Sequence, residues 1–265
     1  MYIRPLIETF SLGNMLEGFI VSLSMGILAY FLRTISISGV IGGIIFGTII
    51  YSSTGWRGFL IPLSFFIIGT FVTKHGYRKK LEMGIAQEEG GRRGAKHALA
   101  NILAGAIFAV MFAIFINILE FSFFFFIAMI GSFATAAADT TSSEMGQVYG
   151  KKPINPLTFK SVPPGTEGAI SKEGTLWGIL ASAIIAIIGI AFWFKSWSIS
   201  ESLVSFLSII LGAFIGNMVE SLIGAAGGKR LNNEILNFLN TLIGGFVSGV
   251  LFIVFMNILD FVLYS

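Results

Sequence analysis

Cysteine is absent from this chain, which excludes a disulfide framework and a thiolate metal site. Histidine occurs only at His75 and His97, too sparsely for a histidine-rich metal centre. Charge is scarce as well: Asp, Glu, Lys and Arg make up 12% of the 265 residues, against 55% hydrophobic. That balance is hard to reconcile with a soluble fold. There is no Walker GxxxxGK[ST] sequence and no nucleophile elbow, so P-loop and serine-hydrolase chemistry find no support. No cleavable signal is expected, because Glu8 interrupts the first ten residues and no small-residue cleavage pattern precedes the first apolar run. A net charge of +3 is modest, and nucleic acid is not an expected partner.

What the chain does have is apolar runs of bilayer length. Eight spans are expected, at 12–32, 35–52, 59–72, 98–119, 121–138, 175–194, 203–226 and 236–263. Continuous apolar segments point to helices, since barrel strands would alternate. The expected fold is all-α: a single integral membrane domain over 1–265, built as a polytopic helix bundle. Glycines inside the spans (Gly42, Gly43, Gly105, Gly212, Gly216, Gly244, Gly245) suit close helix packing in lipid. Segments 103–121 and 243–261 align without gaps and share the ending N-I-L-acid-F. A parallel four-plus-four repeat would explain this, and so would chance among Phe- and Ile-rich helices.

Basic residues concentrate in alternate loops: Arg33, then Lys74 to Lys96, then Lys151 to Lys172, then Lys229 and Arg230. Under the positive-inside rule both termini are outside, and loops 73–97, 139–174 and 227–235 are cytosolic and form one face. For Lys74, Arg78, Lys79 and Lys80, contact with lipid headgroups is the expected role.

The longest polar stretch, 139–175, holds four of the six prolines and the densest run of hydroxyls, and is read as an active-site loop. Polar residues gather at the same membrane face: Asn101; Asp139, Thr140, Ser143 and Glu144; Asn217 and Glu220; Asn233, Asn237 and Asn240. Carboxylates near a span are costly unless paired, hydrated or bound to a cation. Oxygen donors without cysteine suit a hard divalent ion, Mg²⁺ with Mn²⁺ as a substitute. A polar helix cap is the competing reading of D-T-T-S-S-E. Asp139 and Glu144 reach one pocket only where the helix ends or unwinds. Lys151, Lys152 and Lys160 precede a Pro-Gly turn, Pro163 to Gly168, whose amides could cradle phosphate. Arg92 and Arg93 add basic groups beside glycines on the same side.

These residues resemble an integral membrane family, long catalogued only as a domain of unknown function, that includes a plant chloroplast phytyl-phosphate kinase. The resemblance runs from about Ser38 onward and rests on GGRRGAKHALAN (90–101), DTTSSEMG (139–146), the K-x-V-x-x-G-T stretch (160–166) running into GAIS, and GNMVESLIGA (216–225). Glu167, Ala169, Glu220 and His97 depart from the family pattern, where Asn, Gly, Asp and Gln are usual. A fainter likeness is to membrane cytidylyltransferases and dolichol kinases. The resemblance implies transfer of the γ-phosphate of a nucleoside triphosphate, such as CTP, to a prenyl monophosphate of the phytyl or geranylgeranyl type. It implies catalytic roles for Asp139, Glu144 and Lys160, and Mg²⁺ held by Asp139, Glu144 and Glu220. Arg92, Arg93, Asn101, Thr140, Ser143, Lys152, Gly165, Thr166, Gly168, Ser171, Asn217, Asn233 and Asn237 would bind nucleotide or acceptor phosphate. Rival readings are a lipid-phosphate flippase and a CTP-dependent lipid cytidylyltransferase.

Overall fold

The computed structural model describes residues 10–86, 95–193, 197–227 and 232–264. They form α1 (Leu12–Phe31), α2 (Ile37–Lys74), α3 (Tyr77–Glu82), α4 (Ala95–Ile114), α5 (Leu119–Tyr149), α6 (Lys172–Trp193), α7 (Ile199–Ala225) and α8 (Asn233–Tyr264). Serine begins three of them. The side chains of Ser11, Ser36 and Ser198 each accept a hydrogen bond from a backbone N–H of the first turn, and Ser198 forms a capping box with Glu201.

Six helices among the described residues are long and apolar enough to cross a membrane, and 99–114 is a shorter apolar helix. One of the six makes two passes. A straight helix of 38 residues would run about 57 Å, yet Lys74 Nζ lies 3.5 Å from the carbonyl of Leu32, just before α2 begins. A methyl placed on Gly47 would also meet the Phe59 ring at 3.2 Å. The helix therefore folds back on itself at Gly55, whose φ of 67° and ψ of −176° lie in a region essentially reserved for glycine. Its two limbs match the expected second and third spans, so the described residues hold eight apolar helical limbs, one of them the shorter helix 99–114. The protein is a multi-pass membrane helix bundle.

α5 is the central helix: 78% of its apolar window is buried, against 22–33% for the other five. Its small residues Gly131, Ser132, Ala134, Thr135, Ala136 and Ala137 let neighbours approach from all sides. Glycine serves close packing at Gly212 and Gly216, where a methyl would fall 2.7 Å from the Gly244 carbonyl and 2.8 Å from that of Asn240. Gly42 and Gly43 do otherwise, since a methyl at either meets nothing within 4 Å. The two similar segments diverge at their shared ending. Asn117 and Ile118 lie in the turn between α4 and α5, whereas Asn257 and Ile258 continue α8.

The expected span ending at Ala138 is too short. α5 continues through Asp139 to Tyr149, so the start of the polar stretch is three further turns of helix. These turns are held by α3. Gly76 (φ +62°) abuts Val148, Lys79 Nζ donates to the Val148 carbonyl, and His75 Nε2 lies 2.7 Å from the Tyr149 hydroxyl. Most of the remaining loop, 150–171, pins itself at Ile154, which exchanges two 2.9 Å backbone hydrogen bonds with Ile170 and bridges Ser161. Among the described residues there is no strand beyond these isolated bridges.

Candidate active site

A cavity of about 480 Å³ opens at the end of the bundle where α5 emerges, α6 and α8 begin, and α7 finishes. That volume is typical of small-molecule sites, roughly 300–1,000 Å³. The loop forms its outer wall. Gly168 makes this closure possible: its φ is +69°, and a methyl there would fall 2.5 Å from the Ser221 carbonyl and 2.7 Å from the carbonyl carbon of Gly224. Only glycine lets the loop lie this close to the last turn of α7. Gly165, at φ +80°, turns the chain after Pro164, and the Thr166 hydroxyl donates to the Pro163 carbonyl at 2.7 Å.

The two carboxyls that lie beside each other are Asp139 of α5 and Glu220 of α7. Amides hold Glu220 from below. Asn240 Nδ2 donates to Oε2, and Asn237 Nδ2, in the orientation that satisfies its neighbours, donates to Oε1 at 3.1 Å and to the Asn233 carbonyl at 3.3 Å. About one turn along the same two helices, Asn217 Nδ2 donates to Ser142 Oγ at 3.2 Å, and that hydroxyl donates to the Asp139 carbonyl at 3.0 Å. Two adjacent carboxylates repel unless a proton or a cation sits between them. Four acids line the cavity (Asp139, Glu144, Glu167 and Glu220), and among the described residues no Lys, Arg or His does.

The oxygen-only donor set fits a hard divalent cation such as Mg²⁺, which takes one or two carboxylates and completes its shell with water and phosphate oxygens. Asp139 and Glu220 are the residues that would hold it. Among the described residues there is no cluster of three or more His, Cys, Asp or Glu, so protein carboxylates alone would not saturate a metal.

Most of the sequence-derived site is assembled here. Asn101, Asp139, Thr140, Ser143, Glu144, Gly165, Thr166, Gly168, Ser171, Asn217, Glu220, Asn233 and Asn237 all line the cavity. Lys152 and Lys160 do not: both are exposed on the loop and outside the lining. Arg92 and Arg93 lie outside the described residues.

Glu144 lines the wall but does not join the Asp139–Glu220 pair. Asp139 and Glu144 line one cavity although α5 neither ends nor unwinds between them, contrary to the expectation from sequence; five residues of helix still turn Glu144 roughly 140° away from Asp139. Its Oε2 instead pairs with Lys80 Nζ at 2.5 Å, both side chains being buried. Lys80 also donates to the carbonyls of Thr73 at 2.8 Å and Val72 at 3.3 Å, closing the end of α2. The expected headgroup role is thus wrong for Lys80, which is an interior residue. Arg78 remains at the surface beside Glu82. Asn240, grouped with the polar residues from sequence, is a fully buried partner of Glu220.

An integral membrane bundle with an acidic, amide-lined cavity at one end defines the class of protein. Residues 20–245 match the family "Integral membrane protein DUF92", and the chain belongs to that family. It is 36% identical to "Protein VTE6, chloroplastic" of Arabidopsis thaliana over 81% of this chain and 64% of that protein, so it spans less than two thirds of VTE6. It is also 36% identical to an uncharacterized membrane protein of Synechocystis (77% of each chain), and 34% identical to one of Methanocaldococcus jannaschii (83% of this chain, 86% of the other). No solved structure matches it.

Proposed function

We propose that this protein is a prenyl-phosphate kinase. It transfers the γ-phosphate of a nucleoside triphosphate, CTP in our reading, to a phytyl- or geranylgeranyl-type monophosphate. An acceptor phosphate oxygen forms a bond to the γ-phosphorus, the β–γ bridging P–O bond breaks, and the nucleoside diphosphate leaves. The acceptor is already ionised, so no strong general base is required. The family resemblance supports the reaction class, and similarity to VTE6 is part of that support.

The observation that carries the reading is the Asp139–Glu220 pair in a cavity whose described lining offers no cationic side chain. Bringing two phosphate groups together demands positive charge, and catalysis of this kind is largely positioning and electrostatics. Bound Mg²⁺ would supply that charge. Asp139 and Glu220 would hold it; Asn237 and Asn240 hold Glu220; Asn217 and Ser142 steady the Asp139 turn. The loop from Pro163 to Gly168 excludes water from the outer side. In this reading the cavity end faces the cytosol and both termini lie outside, as the distribution of Lys and Arg supports.

The test is purified protein with Mg²⁺, nucleotides labelled at the γ-phosphate and a panel of prenyl monophosphates. Label in a prenyl diphosphate is the expected result. Release of pyrophosphate would instead identify a cytidylyltransferase, and absence of both products from folded protein would direct the search to transport.

A further inference from the structure

The wall of the polar cavity is not polar throughout. Ile179 of α6 and Phe214 of α7 both line it, and they are 37% and 38% exposed. The reason lies in where the glycines are. Gly174 and Gly178 draw α6 onto α5: a methyl would fall 2.6 Å from the Ser142 carbonyl and 3.0 Å from that of Ala138. Gly212 and Gly216 draw α7 onto α8 in the same way. The two helices are thus pulled to opposite neighbours, and bulky side chains face the seam between them.

The geometry points to the α6–α7 seam as the portal through which the acceptor's isoprenoid tail reaches the bilayer while its phosphate sits beside Asp139 and Glu220. This inference rests on the kinase reading for the identity of the headgroup. An amphipathic substrate with a charged head and an uncharged branched tail matches a cavity that is polar at its floor and apolar in its wall at Ile179 and Phe214. The tail never leaves an apolar medium, and the head never enters one. A competing location is the apolar groove between α1 and the α2 hairpin, lined by Gly39, Gly43, Gly47 and the buried Ser22. It lacks continuity with the carboxylates, because its lining shares no residue with that of the polar cavity.

The absence of cysteine gives a direct test, since each Cys variant carries a single thiol. Phe214→Cys and Ile179→Cys probe the seam, and Gly43→Cys probes the groove. Each monodisperse variant is treated with a small uncharged thiol reagent, alone, with dimethylallyl monophosphate, or with geranylgeranyl monophosphate. The long-chain compound should slow modification severalfold at either seam position, the short-chain one should not, and the groove position should be indifferent. Protection at Gly43→Cys instead, or none at the seam while geranylgeranyl monophosphate is still phosphorylated by the unsubstituted protein, would overturn the portal. Seam protection without phosphoryl transfer would keep the portal and sink the kinase reading. Neither protection nor transfer would remove both.

Discussion

Lys80 Nζ and Glu144 Oε2 form an ion pair that joins α3 to the extended end of α5, with both side chains almost fully buried. The second carboxylate oxygen of Glu144 is buried without a hydrogen-bond partner. Losing one member leaves an uncompensated interior charge, which is far more costly than losing both.

Lys80→Met is therefore expected to destabilise the protein by about 3–5 kcal/mol, and Lys80→Met/Glu144→Met to recover much of that loss. Thermal unfolding of the two single variants and the double in one detergent measures the coupling. Additive losses would show that the pair contributes nothing as a pair.

Asp139→Asn and Glu220→Gln should each reduce phosphoryl transfer by about two to three orders of magnitude, as removing a charge-stabilising group commonly does. Arg78→Gln, at an exposed site beside Glu82, should leave it near the starting rate. Chelation should abolish activity and Mg²⁺ restore it. A steady-state assay in which all three variants fall together would place the site elsewhere.

Gly55→Ala should lower stability by about 1–3 kcal/mol, because its φ of 67° with ψ near 180° is strained for any L side chain. The loss should appear in the melting temperature, without a change in metal dependence. An unchanged melting temperature would mean the hairpin turns differently.

Gly168→Ala should spare the bundle but lift the loop from α7, since a methyl cannot fit against Ser221 and Gly224. We expect near-normal thermal stability, a large loss of activity and faster proteolysis within 150–171. A variant as active as the parent would show that the loop is not part of the site.

Much was legible from the chain alone. Apolar length belongs to each segment locally, so eight passes could be counted, including the two that share α2, and the polar residues could be assigned to one end. The resemblance to the family came from short linear blocks for the same reason. Asp139, Glu220 and the Asn positions were recognisable as site candidates because uncompensated polar groups at a membrane face need an explanation.

Which of those groups meet was decided only by tertiary structure. Asp139 faces Glu220 because Gly212 and Gly216 bring α7 against α8 and small residues of α5 admit both. Glu144 faces Lys80, 64 positions away, because α5 stays helical beyond Ala138 and α3 docks against it. Lys160, beside the same motif in sequence, remains in solvent because Ile154 pins the loop with that lysine on its outer side. Composition and helical period act within a segment. The pairing of charges depends on how close two helix backbones can come, and that is settled where glycines, not charges, make contact.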